Sequence, residues 1–496
     1  MSDEKKDGQV SRRSFLKVTG ATAAVAGSAG LGLFGYAAGK DPMSYTGCEI
    51  QEGGCQTFNR EKYAVDVPTY GKKVGESRRI DARYEMIFSR SGKLRGALGR
   101  NFDAEEALTL SDEQLIEQIN AIEAEPLKKF YLENPENFKV EVSMRTQEFR
   151  QQTSSDRQKY SDRYILANAW SSAMGAVSPS GGVGAPEEFD FGRRQPMKLK
   201  SPDQTAKLIK MISHQLGSVL VGITKLNPDW VYGYSQGGRG IPTNEPFEVP
   251  KHWEYAIVVG VPMSWDPTFA NPNFGTSNDA YSRSRIIAYR VAAFIKSLGY
   301  AARPHTPGTS YDLMAPPILV DAGIGEQGRH SVVITPELGA NFRPAIITTN
   351  IPMKTDKPID FGVQSFCKKC KICADQCPSG AISEDDGPVL IRGYKRWALN
   401  DSKCHKFWSC NLGPMGCRIC VACCPYSRKS NWLHKTALQV TANDPTGLSQ
   451  DALTKMQEVF YPGPDKQDYY MESMDGKNAS YRKPPWWLKT EDFIDL

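Results

Sequence analysis

Cysteine residues carry the clearest chemical signal in this sequence. Ten of the twelve cysteines lie between positions 367 and 424, and the first four follow the spacing Cys367-x2-Cys370-x2-Cys373-x3-Cys377, with a proline directly after the fourth. Three thiolates at this spacing wrap one loop around three corners of an iron–sulfur cubane, and the fourth cysteine of such a run binds the other cubane of a pair. The spacing therefore predicts electron transfer through 4Fe-4S clusters.

A second, shorter cysteine motif follows the first. It has the spacing Cys417-x2-Cys420-x3-Cys424, again with a proline after the last cysteine, and Cys404 lies upstream of it. If the last cysteine of each motif binds the cluster of the other motif, the ligands form two crossed sets. The predicted sets are Cys367, Cys370, Cys373 and Cys424 for the first cluster, and Cys404, Cys417, Cys420 and Cys377 for the second cluster.

Alternatives to this assignment stay open at the level of the sequence. Cys410 is the other candidate for the place given to Cys404, and Cys423 is left over. Clustered cysteines can also form disulfides or bind structural zinc. Zinc sites, however, lack the third closely spaced cysteine and the Cys-Pro ending. Cys48 and Cys55 match no cluster spacing and are interpreted as plain thiols.

The first forty residues have the pattern of an export signal. Arg12 and Arg13 precede a Phe-Leu-Lys triplet, and residues 18–39 are almost entirely Ala, Gly, Val, Leu and aromatic. This pattern predicts a twin-arginine signal peptide over residues 1–39, with small residues near its end for cleavage. A lone membrane anchor is the alternative, but a run so rich in Gly and Ala is only marginally apolar.

Composition limits the class of protein. Of the 496 residues, 40% are apolar and 24% are charged, which is ordinary for a soluble globular protein and excludes a multi-span membrane protein. The net charge of +5 is mild, and basic residues alternate with acidic ones, so the sequence predicts no nucleic-acid partner. Outside residues 18–39, no stretch approaches the ~20 apolar residues of a spanning helix.

The elements that must position the cysteines change in character along the chain. Residues 40–200 are polar with helical patterns, for example a capping box at Ser111 to Gln114, and they include a Gly-, Ser- and Pro-rich loop at 172–186. From Ser201 onward, helical and strand patterns alternate. We predict helices between Ser201 and Gly217 and at 282–298, and strands at 219–223, 255–261, 332–334 and 345–348.

Several further motifs together resemble one protein family. They are Asp229-Trp230-Val231-Tyr232, Ala280-Tyr281-Ser282-Arg283, Ile334-Thr335-Pro336-Glu337 with Arg343, Asp356 to Gly362, Phe366-Cys367, and Trp432-Leu433-His434. With the export signal and the two cysteine motifs, this pattern resembles the catalytic subunit of respiratory reductive dehalogenases over about 200 to 435. Residues 40–200 resemble that family only in being variable.

The resemblance implies an α+β fold in which a nitroreductase-like corrinoid-binding core precedes a C-terminal two-cluster ferredoxin-like module. The family lacks the Asp-x-His-x-x-Gly loop of other cobalamin enzymes, and Ile212 occupies the Asp position before His214 here. We therefore expect a base-off corrinoid without a protein ligand on its lower face. The expected regions are a signal peptide (1–39), a variable N-terminal region (40–200), a corrinoid-binding catalytic core (201–355), the two-cluster module (356–435) and a C-terminal extension (436–496).

The resemblance also implies the reaction and its residues. In the family, cobalt reduced through the clusters acts on an organohalide while a tyrosine supplies a proton to the carbon, and Tyr281 matches that tyrosine. Arg343 matches the arginine that eases proton release from the phenol. Gly323 and Gly325 resemble a turn near the corrinoid, where glycine allows close backbone approach. The expected reaction is the replacement of halogen by hydrogen in anaerobic organohalide respiration.

The sequence departs from the family at a third polar site residue, which falls at Pro307. His305, Thr306 and Thr309 are the candidates to substitute for it. Three aromatic residues are candidates to wall an apolar pocket for a small organohalide, with core packing as the alternative. They are Trp230, Tyr232 and Tyr234.

The expected partners are a small organohalide, a small integral-membrane anchor protein and an electron donor from the respiratory chain. The exported protein would attach peripherally to the periplasmic, outer face of the cytoplasmic membrane. Two other functions remain as alternatives. An epoxyqueuosine reductase-like cobalamin enzyme shares the cofactor set but works on transfer RNA in the cytoplasm, which the export signal argues against. A non-catalytic exported iron–sulfur electron-transfer subunit would not need the long body before the cysteine motifs.

Overall fold

The computed structural model of the protein describes residues 58–99, 109–146, 196–234, 246–269, 275–306, 312–412, 417–428, 432–463 and 466. Several sequence predictions therefore concern positions outside the described residues. They are the twin-arginine signal, Cys48, Cys55, the 172–186 loop, Pro307 and Thr309.

Five α-helices form the described N-terminal part of the chain. They are α1 (Ala82–Glu85), α2 (Ile87–Leu98), α3 (Asp112–Asn120), α4 (Glu125–Glu133) and α5 (Pro135–Thr146). Helix α3 begins at the predicted capping box, because the Ser111 hydroxyl accepts from the Gln114 N–H and the Gln114 side chain accepts from the Ser111 N–H. The apolar faces of these helices bury Leu94, Ile119 and Leu127 in a core of their own.

A four-stranded antiparallel sheet lies at the centre of the following part. The strands of this part are β1 (Leu220–Lys225), β2 (Tyr255–Pro262), β3 (Ala302–His305), β4 (Glu326–Gln327), β5 (Val333–Ile334) and β6 (Phe342–Thr349). The sheet has the order β1-β2-β6-β3, and β4 pairs separately with β5. Strand β2 is buried along nearly its whole length, as expected for a central strand whose two faces are both covered.

Helices cover both faces of this sheet. They are α6 (Pro202–Gln215), α7 (Trp265–Phe269), α8 (Gly275–Ser297) and α9 (Ala315–Asp321). Successive residues of a strand point to opposite faces. Ala345 and Ile347 of β6 accordingly join the core that includes α6 and α8, whereas Ile346 joins the core that includes α7 and α9. The sheet therefore separates two hydrophobic cores.

Short helices and one hairpin form the part of the chain that contains the cysteines, together with the two helices that follow it. They are α10 (Val363–Cys370), α11 (Ile372–Asp375), β7 (Val389–Ile391), β8 (Tyr394–Arg396), α12 (Asp401–Lys406), α13 (Ile419–Cys423), α14 (Trp432–Ala442) and α15 (Leu448–Phe460). The strands of the described ranges all pair antiparallel and have helices packed on them, which gives an α+β architecture. Within the described ranges, no helix has both the length and the apolar character needed to cross a bilayer.

The predicted elements from Ser201 onward are confirmed, with shifts at their ends. Ser201 caps α6 by accepting a hydrogen bond from the Gln204 N–H, and Gly217 follows its end with a φ of +100°. The largest shift is in α8, which begins at Gly275, seven residues before the predicted start. Its first turns carry polar residues such as the buried Ser277, so the apolar periodicity does not reveal them.

Candidate functional site

Four cysteines surround one small cavity. Cys367 and Cys370 lie on α10, Cys373 lies on α11, and Cys424 directly follows α13. All four line the cavity, whereas Cys377 is absent from its described lining. The four residues are the same as the set predicted for the first cluster, including the crossed ligand from the second motif.

The junction of α10 and α11 explains how three cysteines of one motif reach the same cavity. In an unbroken helix, residues three apart would lie in a row along one face. Lys371 instead adopts a left-handed backbone conformation, with a φ of 48°, and separates the two helices. The turn brings Cys373 around to the cavity that Cys367 and Cys370 line.

The four cysteines predicted for the second cluster are also neighbours. Burial, and then the negative charge of Cys377, raise the pKa of Cys404 to about 11. Burial, and then the charge of Cys404, raise the pKa of Cys417 to about 12. The pKa of Cys420 is raised well above its ordinary value by burial and then by the charges of the other three. These mutual effects require that the four thiols lie close together.

The two remaining cysteines of this region lie differently. The Cys410 sulfur is 4.0 Å from the backbone carbonyl of Met144 on α5. Cys423 is completely buried, and its pKa is raised by burial and then by the charges of Cys420 and Cys424, one from each set. Cys404, one of the two candidates for the fourth place in the second set, has a pKa that responds to Cys377.

The donor sets fit iron–sulfur clusters. Buried thiols with raised pKa values stay protonated, whereas a bound metal displaces the proton and stabilises the thiolate. All ten described cysteines are free thiols. In the described part of the chain, no three Cys, His, Asp or Glu side chains converge closely enough to hold one ion. Four cysteines around one cavity match the number of cysteine ligands that a 4Fe-4S cubane takes.

Arg329 supports the first cysteine set, and the sequence analysis did not single it out. Its backbone N–H points at the Cys367 sulfur at 3.5 Å, and its Nε donates to the Cys367 carbonyl at 2.9 Å. Its guanidinium lies 4.3 Å from the ring centre of Trp397. A hydrogen bond and a fixed cation next to a cluster sulfur are two of the features that set a cluster's potential.

Tyr281 and Arg343 lie next to each other. The Arg343 guanidinium is 5.2 Å from the centre of the Tyr281 ring, within cation–π range. Arg343 donates from Nη1 to the Phe342 carbonyl at 2.8 Å and from Nη2 to the Ser277 hydroxyl at 3.1 Å. Its Nε is buried and has no hydrogen-bond partner among the described residues. The Arg343 cation is therefore held beside the Tyr281 ring by protein groups on both Nη atoms.

Arg418 completes this group and was not predicted. Its Nε donates to the same Ser277 hydroxyl at 2.6 Å, and its Nη1 donates to the backbone carbonyl of Cys417. Burial, and then the positive charge of Arg343, lower the pKa of Arg418 to about 10, so Arg418 is still cationic at neutral pH. No local pattern could have revealed this contact, because Ser277 and Arg418 are 141 positions apart.

A large cavity of about 920 Å³ lies between the N-terminal helices, α9 and the β7–β8 hairpin. Trp230 and Tyr394 contribute aromatic walls, with ring centres 4.5 Å apart. Arg392 and Arg396 contribute cations, and the Nε of Arg396 is buried without a hydrogen-bond partner among the described residues. Arg392 pairs with Glu85, and acidic residues such as Glu133 and Asp401 also line the cavity, so it is partly apolar and carries charges of both signs. Tyr281 does not belong to its described lining.

Gly323 and Gly325 approach protein backbone closely. Gly323 has a φ of +65°, and a Cβ there would lie 2.4 Å from the Lys357 carbonyl oxygen. A Cβ on Gly325 would lie 2.0 Å from the Ile334 carbonyl oxygen. The absence of a side chain at both glycines therefore allows close packing against the backbone of the same protein. Neither glycine belongs to the described lining of the large cavity.

His305 lies on the other face of the sheet from α8, the helix of Tyr281. It pairs with Ile346 in β6, its Nε2 is 2.9 Å from the Thr348 hydroxyl, and its ring contacts Phe247 of the second core. Burial lowers its pKa. The structure therefore does not bring His305, a candidate substitute for the third polar residue, to Tyr281.

The other singled-out residues have local partners. His214 is buried at the end of α6, and its Nδ1 lies 2.8 Å from the Ser218 carbonyl, as for an ordinary helix histidine. Trp230 donates to Asp321 at 2.8 Å and lines the large cavity. Tyr232 is buried, and Tyr234 packs 3.5 Å from the Arg83 guanidinium. Of the three aromatic candidates, only Trp230 belongs to the described lining.

A buried ion pair joins the N-terminal helices to the helix of Cys404. Arg90 and Glu141 form this pair at 2.9 Å, and both side chains are 0% exposed. Ser402 of α12 donates to the Glu141 carboxylate at 2.8 Å, and the Tyr131 hydroxyl donates to it at 2.8 Å. The N-terminal part, whose role was unreadable from the sequence, therefore supports the second cysteine set.

Comparisons with known proteins agree with this architecture, although no family model matches the chain. The tetrachloroethene reductive dehalogenase of Desulfitobacterium hafniense (strain Y51) is 32% identical over 328 residues, covering 56% of this chain and 58% of that protein. The tetrachloroethene reductive dehalogenase of Sulfurospirillum multivorans is 31% identical over 279 residues, covering 49% of this chain and 54% of that protein.

The solved structure of a catabolic reductive dehalogenase has the same fold, with a TM-score of 0.58 and 22% identity over 87% of this chain and 54% of that one. The matched part thus amounts to somewhat more than half the length of each of these relatives. In sequence and in fold, the chain is therefore similar to reductive dehalogenases over somewhat more than half of their length.

Proposed function

We propose that the protein catalyses reductive dehalogenation, in which a carbon-bound halogen leaves as halide and is replaced by hydrogen. The reaction consumes two electrons and one proton. The observation that carries this proposal is the contact between the second cysteine motif and the Tyr281–Arg343 pair, through Arg418 and Ser277. This contact supports the proposal, because dehalogenation needs electrons and a proton at the same place.

The finer architecture and cofactors belong to the same proposal. Residues 201–355 would form a nitroreductase-like core, and residues 356–435 would form a ferredoxin-like module with two 4Fe-4S clusters. The clusters supply electrons, and a base-off corrinoid, when bound, supplies a cobalt centre that acts on the carbon–halogen bond. The antiparallel sheet and the two neighbouring cysteine sets support this division.

The large cavity is the proposed place of the corrinoid. A corrinoid combines a flat apolar macrocycle with amide groups and, in complete forms, an anionic phosphate. The aromatic walls suit the macrocycle, and the buried Nε of Arg396, which has no hydrogen-bond partner among the described residues, suits the anion. Because Tyr281 is not part of the described lining, its role rests on its arginine neighbour and on the family resemblance.

Residues of the chain would hold the transferred proton and stabilise the group that releases it. The Tyr281 hydroxyl would hold the proton that the product carbon receives. Arg343 would stabilise the phenolate that remains, since a nearby cation favours the charged form of a phenol. Ser277 holds Arg343 in place over the ring through the 3.1 Å hydrogen bond to Nη2.

Metal content and halide release test the proposed function directly. Anaerobically reconstituted protein is expected to contain about eight iron and eight acid-labile sulfide per chain, together with cobalt. With a chemical reductant, it should release halide from at least one of a haloalkane, a haloalkene or a haloaromatic compound. Arg396→Ala should lower cobalt and leave iron unchanged. Fully loaded protein that releases no halide from any class would contradict the proposal.

Cys377 tests the crossed ligand sets. Cys377→Ala should damage the second cluster and preserve the first, although Cys377 belongs to the first motif. Electron paramagnetic resonance of the reduced protein distinguishes the two clusters, and Cys410→Ala is the matched control that should preserve both. Loss of the first cluster in Cys377→Ala would contradict the assignment.

The proposed location is the outer face of the cytoplasmic membrane, reached by the twin-arginine route and maintained by a small integral-membrane anchor protein and a respiratory electron donor. Changing Arg12 and Arg13 to lysine should retain the protein in the cytoplasm, because the paired arginines are the recognised feature. Cell fractionation measures the result. Changing Lys5 and Lys6 to glutamine alters charge outside the motif and should leave export unaffected. Normal export of the Arg12→Lys/Arg13→Lys protein would disprove the signal.

The alternatives make different predictions. An epoxyqueuosine reductase-like enzyme would bind transfer RNA and release no halide, and an electron-transfer subunit would contain iron without cobalt. The relatives named above are reductive dehalogenases and do not favour either alternative.

A further inference from the structure

The Ser277 hydroxyl is the meeting point of two arginines. Its oxygen accepts from Arg343 Nη2 at 3.1 Å and from Arg418 Nε at 2.6 Å, and its proton points to the Met263 sulfur at 3.4 Å. A hydroxyl has two acceptor lone pairs and one donor, so this group is saturated. Ser277 is completely buried, and both guanidinium groups are therefore fixed by the same atom.

The two arginines face different parts of the molecule. Arg343 lies over the Tyr281 ring, and Tyr281 follows Ser277 by four residues, on the same face of α8. Arg418 directly follows Cys417, donates to the carbonyl of that residue and precedes α13, which carries Cys420. Its charge therefore lies beside two proposed ligands of the second cluster.

We propose that Arg418 is a positioning residue that couples the second cluster to the proton donor. This role rests on the proposed function. Arg418 has two effects. Its charge stabilises the more negative, reduced state of the second cluster and so raises the potential of that cluster. Its hydrogen bond holds Ser277, and through Ser277 it fixes Arg343 above the Tyr281 ring.

Two substitutions separate these effects. Arg418→Gln removes the charge and the hydrogen-bonding fork, so the second cluster should shift to a more negative potential and turnover should fall about 10- to 100-fold, as for a misplaced catalytic group. Ser277→Ala keeps both charges and removes only their common acceptor. It should lower turnover similarly and leave the potential of the second cluster at the parental value.

Two further variants serve as controls. Arg418→Lys keeps the charge but loses the planar guanidinium group. The second cluster should therefore keep its parental potential, whereas turnover should be only partly retained. Arg428 donates to the Ala422 carbonyl at 2.9 Å, and its charge acts on Cys424 of the first set. Arg428→Gln should therefore shift the first cluster and leave the second unchanged.

Redox titration monitored by electron paramagnetic resonance gives each potential, and an iron assay gives the cluster content. An unchanged potential of the second cluster in Arg418→Gln would overturn the proposal. Loss of that cluster's iron in the same variant would also overturn it, because it would reveal a purely structural role. Parental turnover in fully loaded Ser277→Ala would also overturn it. If the parental protein holds both clusters but releases no halide, the proposed function fails, and the comparison of potentials still decides the role of Arg418.

Discussion

Replacing Tyr281 by phenylalanine is expected to lower dehalogenation about 10²- to 10⁴-fold, which is the usual contribution of a general acid. The substitution removes the hydroxyl and keeps the ring beneath the Arg343 guanidinium. Folding and cofactor content should therefore stay at parental values. Halide release under single-substrate steady-state conditions, normalised to iron and cobalt content, measures the effect.

The same change elsewhere on the helix provides the control. Tyr289 also lies on α8, two turns further along, and Tyr289→Phe should keep near-parental turnover. A Tyr281→Phe protein that is fully loaded and dehalogenates at the parental rate would show that another group donates the proton. His305 is a poor replacement, because it lies on the opposite face of the sheet and is completely surrounded by protein.

Replacing Arg90 by methionine is expected to cost about 3–5 kcal/mol of stability, because it leaves the buried Glu141 carboxylate without its cation. Burial raises the pKa of Glu141, so the charged form of this carboxylate is already disfavoured and depends on the Arg90 cation. Glu141 also accepts from Ser402 of α12. We therefore expect the second cluster to be lost at a lower denaturant concentration than the first. Urea titration, followed by circular dichroism and by cluster absorbance, measures both effects.

A compensating change tests the physical reason. Glu141→Gln removes the second charge and keeps an oxygen for Tyr131 and Ser402, so the double variant with Arg90→Met should recover much of the lost stability. Arg95→Met on the same helix changes an exposed arginine and should alter stability by less than about 0.5 kcal/mol. If Arg90→Met lowered stability no more than Arg95→Met does, the ion pair would not stabilise the fold.

The sequence predicted the parts of the fold that depend on local patterns. The cap at Ser201, the stop at Gly217 and the strand around Ile257 follow from local side-chain chemistry and apolar periodicity, and the structure has all three. The beginning of α8 was missed because Ser277 is buried by hydrogen bonds and not by an apolar pattern. Helix starts of this kind depend on partners that are distant in the sequence.

The candidate site likewise contains features with a local sequence signal and features without one. Spacing alone indicated the cysteine sets, because a cubane requires particular separations along the chain. Arg418, Arg329 and the Arg90–Glu141 pair carry no local signal. The contacts Arg329–Cys367, Arg418–Ser277 and Glu141–Ser402 join residues 38, 141 and 261 positions apart. Only the folded chain shows that three cations support the cysteines and the tyrosine.

The contact between Glu141 and Ser402 also bears on the order of events during synthesis. These residues are 261 positions apart, so the α5 side of the contact leaves the ribosome long before α12 exists. Contacts of such high sequence separation form slowly, and larger chains collect partly folded states on the way. The pocket proposed for the second cluster can therefore form only after α12 and α13 have been translated, and iron insertion there would follow that step.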